Sequence, residues 1–371
     1  MPSQPPRLAQ ESTLTDASQP LLISIRNSTG RSSVWGSFTP LDSTFETLGA
    51  WLAEALDTAG EPEEISNSQF ETAALTNGVY FRYPGDVPLN VLAAWLDADI
   101  ASQFSVNQLF LQIDTSSVQL LVSGTDGCWR MSTQLEQSSF LSALEEYPAD
   151  GTFMAGESTD SHYRHLDRLT LLDSRVTALP AAEVSNPCDK DFLNNTATAL
   201  GFNPYGDTTY RDDTNTIFTE TDCSLRISAD GVLTLNNQGL AERFSAASAS
   251  DGDRIEYVRS LTETLAGQLT GDARLLYTGI SEEDGLTTVT CRYFLSGLAV
   301  EHPDGPAVTA TFSGATLSTL SFRIRSYTLS ATEQLGFLPA SQAAVLQSSG
   351  DSLALAYGDY GGDQLSVGWL K

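Results

Sequence analysis

The stretch that decides the fold reads DRIEYVRSLTETLAGQL at residues 253–269, followed by TGDARLLYTG at residues 270–279. Its first part predicts an α-helix, because its apolar residues recur three or four positions apart. These residues are Ile255, Val258, Leu261, Leu265 and Leu269. Gly271 is expected to end the helix, and Arg274–Gly279 is predicted to form a β-strand. A helix with one apolar face must bury that face, and an antiparallel sheet offers a matching surface.

Three further strands are predicted after this helix, at Thr287–Leu295, Ala307–Phe312 and Leu317–Tyr327. The alternation of side chains is clearest in the last strand, where apolar residues share one face and two arginines and a tyrosine share the other. The inward set is Leu320, Phe322 and Ile324, and the outward set is Arg323, Arg325 and Tyr327. The outward set is a candidate contact surface for a partner protein. The favoured alternative is that the two arginines pair with acidic residues of the chain itself.

The same order, a helix and then antiparallel strands, is predicted in the middle of the chain. Pro187–Leu200 is predicted to be helical, and Gly201 suits a left-handed cap at its end. Asp230 and Gly231 lie between two alternating runs, which predicts a hairpin turn. We therefore expect two cystatin-like units, each a helix packed on an antiparallel sheet, at residues 166–245 and 250–371.

Residues 21–150 predict a separate α+β domain that precedes these two units. Ser43 and Glu46 match a helix capping box. Pro84 is expected to stop a strand that starts at Gly78, and Pro88 suits the first turn of the next helix. A polar stretch at residues 149–165 is a plausible boundary, and residues 1–20, rich in Pro, Ser, Thr and Gln, are expected to be a disordered tether. The predicted class is thus α+β, with several domains.

The charge of the chain disfavours two kinds of partner. Lys and Arg total 19 and Asp and Glu total 47, which gives a net charge of −28 and a pI near 4.2. Binding to nucleic acid needs a basic surface, and attraction to an anionic membrane needs basic residues as well. No apolar run approaches the roughly 18–20 residues that cross a bilayer, and no signal peptide is found. Membrane attachment is therefore expected only through an N-terminal anchor that is absent from this chain.

No motif predicts a metal or a cofactor. Asp160, His162, His165 and Asp167 include an HxxH spacing, but zinc ligands need a rigid element and supporting hydrogen bonds. These four residues lie in a Gly/Asp/Ser-rich stretch, where a solvated loop is expected. Two acidic groups are expected to be a hairpin turn and a solvated acidic edge rather than calcium ligands. They are Glu282, Glu283 and Asp284, and Asp359 with Asp363.

The chain is also predicted not to be an enzyme. Neither the GxSxG elbow of hydrolases nor a phosphate-binding glycine loop occurs, and all three histidines lie in loop-like contexts. The four cysteines allow three disulfide pairings or four free thiols, and the sequence does not choose between them. They are Cys128, Cys188, Cys223 and Cys291.

Several short motifs, taken in order, resemble the YycH and YycI proteins. Their strand–proline–helix element, their shared middle module and their C-terminal module each have a counterpart here. The motifs are YFRYP at residues 80–84, VPL at 87–89, LGFNP at 200–204, SLRI at 224–227, DGVL at 230–233 and RYFLSGLAV at 292–300. Together they span most of residues 75–330, and the three-region layout fits the longer YycH type better than YycI.

The resemblance implies a regulator and carries no catalytic residues. Members of this family are anchored by one N-terminal transmembrane helix, face outward from Gram-positive cells and restrain the cell-wall sensor kinase WalK (YycG). The implied partners are thus a membrane sensor histidine kinase and a sister regulator, reached through protein–protein contact. The alternative is a ligand-binding or cell-wall-binding lipoprotein domain without catalytic activity, and an enzyme is the third possibility.

Overall fold

Two large sheets, antiparallel apart from one parallel strand pair in the second, form the architecture of the computed structural model together with the helices packed on them. The structure describes residues 17–206, 208–212, 214–267 and 269–370, the side chains of residues 332–335 excepted. The predicted α+β class is confirmed. Most of the predicted tether, residues 1–16, lies outside the described residues. Residues 18–20 are buried, so the tether prediction is wrong for them, because their side chains pack against the body of the protein.

The N-terminal region forms a seven-stranded sheet in the spatial order β2-β1-β4-β5-β6-β7-β3, with antiparallel neighbours. Its strands are β1 (Leu22–Asn27), β2 (Gly30–Val34), β3 (Glu63–Ile65), β4 (Gly78–Pro88), β5 (Ser105–Ile113), β6 (Val118–Gly124) and β7 (Gly127–Ser132). Its helices are α1 (Phe38–Asp57), α2 (Asn67–Ala74), α3 (Leu89–Trp95) and α4 (Gln137–Leu144).

Both faces of this sheet are covered, because alternate residues of its strands are apolar on both sides. On β4, Val79 and Phe81 join the main core with Phe45 of α1, and Tyr80 joins a second core with Phe70 of α2. The Ser43 capping box is wrong: α1 begins at Phe38, so Ser43 lies inside the helix.

Pro84 does not stop its strand, contrary to the prediction. The pairing of β4 with β5 shifts between Arg82 and Val87, and this bulge accommodates the proline, which has no N–H to pair. The strand then continues to Pro88, which is the N-cap residue of α3 and lies one position before the first turn, where the sequence analysis places it.

The rest of the chain contributes fifteen strands to the described structure, three of them in the segment that follows the first sheet. These strands are β8 (Phe153–Met154), β9 (Leu171–Leu172), β10 (Ala178–Ser185), β11 (Thr209–Arg211), β12 (Asn215–Thr219), β13 (Ser224–Ser228), β14 (Val232–Asn236), β15 (Ala273–Glu283), β16 (Leu286–Leu295), β17 (Leu298–Glu301), β18 (Val308–Ser313), β19 (Thr316–Arg323), β20 (Ser326–Gly336), β21 (Leu355–Gly358) and β22 (Ser366–Trp369). Three helices accompany them: α5 (Lys190–Ala199), α6 (Asp251–Ala266) and α7 (Ala340–Ala344).

One eleven-stranded sheet joins the two predicted cystatin-like units. Its order is β11-β12-β13-β14-β19-β18-β16-β17-β21-β22, with β15 also paired to β16. Strand β14 of the middle unit pairs with β19 of the C-terminal unit, for example Leu235 with Leu320. Strands β11 to β14 of the middle unit are therefore continuous in hydrogen bonding with most strands of residues 250–371. Strand β10 pairs with β20 in a separate two-stranded sheet.

The helices α5 and α6 bury most of the apolar stripes that the sequence predicts, but α6 ends at Ala266 rather than at Gly271, so Leu269 lies beyond the helix. Val258 and Leu265 of α6 are buried, as are Ala197 of α5 and Leu200 directly after it, while Leu193 is half-buried against the same core. Since each of these helices has an otherwise polar surface, burial of the stripe fixes its orientation on the sheet.

Candidate functional site

The N-terminal unit meets the large sheet where a bulge of β4 lies against a bulge of β15. The pairing of β15 with β16 shifts between Tyr277 and Gly279, next to the contact. A Cβ atom built on Gly85 would lie 1.8 Å from the carbonyl oxygen of Thr278, so only glycine fits there. Tyr277 Oη also donates a hydrogen bond of 2.8 Å to the carbonyl of Asp86. The joint therefore depends on close approach of the two backbones.

Polar contacts flank this joint on the side of α3 and α1. Trp95 Nε1 donates to Glu256 Oε1 at 2.6 Å. Arg274 donates to both carboxylate oxygens of Asp42 at 3.0 and 2.6 Å, and its guanidinium lies 4.1 Å from the ring centre of Phe38. These bonds fix the position of the N-terminal unit on the large sheet.

Two cavities lie on either side of the joint and share Tyr83 and Pro84 as lining residues. The first, of about 390 Å³, lies beside Trp95 and α6. The second, of about 480 Å³, is called the central cleft here. It collects residues from the first sheet, from residues 171–176, from β15 to β17 and from the C-terminal segment. Its volume lies within the range of small-molecule sites, about 300–1,000 Å³.

The walls of the central cleft are mostly apolar, with a few charged groups. Trp35, Phe294, Leu355 and Trp369 supply much of the apolar surface. Arg292 is paired with Glu301 at 2.5 Å, so those two charges offset each other.

A second acidic group of the cleft is also paired. Asp173 is bound by Arg175, whose Nη2 lies 2.6 Å from Oδ2. Burial is the largest single effect on the pKa of Asp173 and raises it. The hydrogen bonds that Arg175 donates and the charge of Arg175 together outweigh burial, so the pKa of Asp173 lies below its usual value. The negative charge of Asp173 in the cleft wall is therefore offset by Arg175.

Arg82 is the exception among the charged residues of the cleft. It is half-buried, and no carboxylate of the described residues lies within 4.0 Å of its guanidinium. Two polar atoms of other lining residues are also unsatisfied: Tyr83 Oη and Asn107 Oδ1 are buried without a hydrogen-bond partner among the described residues. Burial raises the pKa of Tyr83, which therefore stays protonated.

The predicted outward face at the end of β19 is not outward. Arg325 is 8 % exposed and Tyr327 is 0 % exposed, so the exposure expected for them is wrong. The strand is interrupted after Arg323, and Tyr327 belongs to β20, which pairs with β10. Arg323 is half-buried and forms an ion pair with Asp304, and Arg325 lies near Asp359. The alternative, pairing with acids of the chain itself, is what the structure shows.

A buried polar cluster surrounds Tyr327. Its Oη donates to Asp359 Oδ2 at 3.0 Å and lies 2.9 Å from His302 Nε2. Since a tyrosine has one hydroxyl proton, His302 Nε2 is the donor of the second bond, and Nδ1 is left as an acceptor. That Nδ1 atom is buried with no partner among the described residues. Burial lowers the pKa of His302 to about 4, although the Asp359 carboxylate opposes the shift.

The buried cluster corrects the expectation for Asp359. This residue is 4 % exposed rather than part of a solvated acidic edge, because Tyr327 donates to its carboxylate and the Gly361 N–H donates to Oδ1 at 3.0 Å. Asp363 is exposed, as expected. Glu282 and Glu283 are exposed at the end of β15, and Asp284 lies in the hairpin turn that the sequence predicts.

The histidine pair at 162 and 165 is not brought together as a ligand set. His162 Nδ1 lies 2.7 Å from Asp160 Oδ1, and His165 Nε2 lies 2.7 Å from the carbonyl of Ala344. The described residues contain no group of three or more His, Cys, Asp or Glu side chains placed to hold a metal ion. All four cysteines are free, and burial raises the pKa of Cys291 to about 12.

Comparisons with known proteins bear on the fold. No family model matches the chain, and no curated protein matches it. The chain is similar to the crystal structure of YycH from Bacillus subtilis, with a TM-score of 0.59 over 96% of this chain and 94% of that chain. The chain has a YycH-like fold. The identity is 10%, so the likeness to YycH concerns the fold, and the resemblance that the short motifs indicate is confirmed at that level.

The YycH-like fold contains features that the motifs did not predict. The central cleft and the buried cluster combine residues far apart in the sequence, such as Arg82 with Trp369 and His302 with Asp359. A local signal was available only for Arg82, which interrupts an apolar strand. No helix in the described part of the chain is long and apolar enough to cross a membrane.

Proposed function

We propose that this chain is an extracytoplasmic regulator that binds the outward-facing domain of a membrane sensor histidine kinase of the WalK type. The observation that carries the proposal is the YycH-like fold, which extends over 96% of the chain. The order of the short YycH-like motifs supports it. In this proposal the protein acts by contact, catalyses no reaction and has a YycI-like sister regulator as a further partner.

An exposed surface of the C-terminal unit supports contact with a protein. Leu338, Val345 and Leu346 are 46, 61 and 64 % exposed, and Leu338 and Leu346 line a groove of about 530 Å³ together with Trp369. We call these four residues the C-terminal apolar patch. Apolar side chains around a groove are typical of the centre of an interface. This surface replaces the strand of Arg323, Arg325 and Tyr327 as the proposed contact.

The segments that form the C-terminal apolar patch are uncharged, which indicates the chemistry of the partner. Residues 336–350 and 364–370 contain no Asp, Glu, Lys or Arg, although the chain has a net charge of −28. The patch is held firmly, since Trp369 Nε1 donates to the carbonyl of Leu338 at 2.8 Å and His165 bonds the carbonyl of Ala344. An uncharged, apolar segment of the kinase domain would fit this surface without a desolvated charge.

The test is binding of the purified chain to the sensor domain of the kinase from the same organism. We expect a complex, and reduced kinase autophosphorylation when the full-length kinase in vesicles is used. The double variant Val345→Asp/Leu346→Asp should weaken binding at least tenfold, because it places two charges in an apolar interface. Its stability should change by less than about 0.5 kcal/mol, as at other exposed positions.

The matched control is Leu286→Asp, at an exposed leucine in the β15–β16 hairpin. This variant should bind the kinase domain as the unaltered chain does. If the unaltered chain does not bind, the regulatory proposal fails. If binding survives the double substitution at 345 and 346, the function stands and the patch is the wrong surface.

The alternative function, a ligand-binding domain, is favoured by the central cleft. The cleft has a volume suited to a small molecule and aromatic walls from Trp35, Phe294 and Trp369. A kinase-binding surface and a ligand cleft are compatible in one protein, and the two are tested separately.

A further inference from the structure

We infer that the central cleft binds a small amphiphile that carries one negative charge, such as a medium-chain carboxylate. This inference is independent of the proposed contact with a kinase. It concerns the cleft lined by Trp35, Arg82, Asn107, Phe294, Leu355 and Trp369.

The charge of the ligand follows from the state of the four charged residues in the wall. Glu301 is neutralised by Arg292, and Asp173 is neutralised by Arg175. Arg82 remains without a carboxylate partner within the part of the chain that the structure describes. Most half-buried arginines of the described residues pair with a carboxylate, as Arg292 and Arg323 do. Guanidinium groups bind carboxylates through two parallel hydrogen bonds, so one anionic group satisfies the site.

An unsatisfied polar atom in the lining of the cleft also supports a polar head group. Asn107 Oδ1 is buried without a donor, and Asn107 lies on β5, the strand that pairs with the strand of Arg82. Buried polar atoms in native proteins are normally hydrogen-bonded to protein or to ordered water. A bound carboxylate with its hydration water supplies a donor for the amide oxygen and an acceptor for the guanidinium.

The apolar wall determines the body of the ligand. Phe294 and Leu355 are buried, and Trp35 and Trp369 are half-buried with their rings in the lining. Burial of alkyl surface contributes about 25 cal/mol per Å². A polyanion such as a nucleotide is disfavoured, because the wall has one unpaired cation and the net charge of −28 repels further negative charge.

The cleft also connects parts of the protein that are distant in sequence. Arg82 belongs to the first sheet, Phe294 to β16 and Trp369 to β22. A ligand that touches all three would stabilise their arrangement, since binding to the folded state alone raises stability with ligand concentration. Binding should therefore raise the melting temperature.

The experiment is titration calorimetry of the full chain with decanoate below its micellar concentration, together with uncharged decanol as the matched probe. Decanoate should bind with 1:1 stoichiometry and raise the melting temperature. Arg82→Gln should weaken decanoate at least tenfold, the loss expected for a charge-assisted hydrogen bond. The same variant should leave the affinity for decanol within twofold, because the apolar wall is unchanged.

Two further variants separate the cleft from unspecific effects. Arg130→Gln removes another half-buried arginine of the same sheet that does not line the cleft, and it should leave both affinities unchanged. Ala299→Phe fills the cleft from β17 and should weaken decanoate and decanol alike. No binding of decanoate to the unaltered chain overturns the inference. So does equal weakening by Arg82→Gln and Arg130→Gln, or equal affinity of the unaltered chain for decanoate and decanol.

Discussion

Replacing Tyr327 by Phe removes one oxygen atom from the buried cluster and leaves the volume of the core almost unchanged. Asp359 Oδ2 then loses its 3.0 Å donor, and His302 Nε2 loses its 2.9 Å partner. Both groups stay buried, because each residue is less than 10 % exposed. Leaving a buried polar group unsatisfied costs about 1–3 kcal/mol. We expect the free energy of unfolding to fall by about 2 kcal/mol.

The assay is thermal unfolding followed by circular dichroism, with urea unfolding as a second measurement. An unfolding entropy of about 2.1 cal/mol/K per residue, over 371 residues, converts 2 kcal/mol into a fall in melting temperature of about 2–3 °C. The urea midpoint should fall without a change in slope, since the surface exposed on unfolding is the same.

The matched control for Tyr327→Phe is Tyr83→Phe. Tyr83 is also buried, but its hydroxyl has no partner among the residues that the structure describes. Removing that hydroxyl should change stability by less than about 0.5 kcal/mol or raise it slightly, because an unsatisfied polar atom is lost. Equal destabilisation by the two substitutions, or none by Tyr327→Phe, would refute the reasoning about the cluster.

Two further predictions concern protonation and the joint. His302 is neutral in the folded state, because its pKa is lowered from 6.5 to about 4. As the pH falls, the unfolded chain therefore binds a proton at this histidine before the folded chain does. The stability that neutral His302 contributes is present above pH 6.5 and is lost as the pH falls towards 4. At about 1.4 kcal/mol per pKa unit the loss approaches 3 kcal/mol, and it should be absent from the pH profile of unfolding of His302→Asn. Gly85→Ala places a Cβ 1.8 Å from the Thr278 carbonyl and should cost at least about 1–3 kcal/mol and expose the joint to limited proteolysis. Gly336→Ala, where a Cβ meets no atom within 4 Å, should do neither.

The main architecture could be predicted from the sequence because it depends on local periodicity. The stripe of α6 and the alternation of Leu320, Phe322 and Ile324 each require one buried face. The stripe residues within α6 are buried, and so are the three strand residues. The same rule failed for Arg325 and Tyr327. Alternation assigns an outer face only where the sheet has one solvated side. Here β20 turns to pair with β10, and the C-terminal segment with Asp359 covers the other side.

The candidate sites could not be predicted because they depend on long-range packing. The sequence does not show which acidic residue lies next to a given arginine. Arg82 has no carboxylate partner among the described residues and Arg292 has one, but the sequence alone does not distinguish them. The Asp359 carboxylate was expected in solvent because it lies in the glycine-containing acidic run at residues 358–363. Its burial requires the hydroxyl of Tyr327 and the imidazole of His302, which lie 32 and 57 residues away.

Trp369 connects the two proposed sites. It lines the central cleft on one side and the groove of the C-terminal apolar patch on the other. Its ring packs edge-on against Phe337 with 5.5 Å between the ring centres, and its Nε1 donates a hydrogen bond to the carbonyl of Leu338. A shift of Trp369 would therefore also shift residues of the patch. If a ligand in the cleft alters the affinity of the patch for a kinase domain, thermodynamic linkage requires the kinase domain to alter the affinity for that ligand by the same factor. In such a protein the affinity for the kinase domain would depend on the concentration of the amphiphile, because Trp369 belongs to both surfaces.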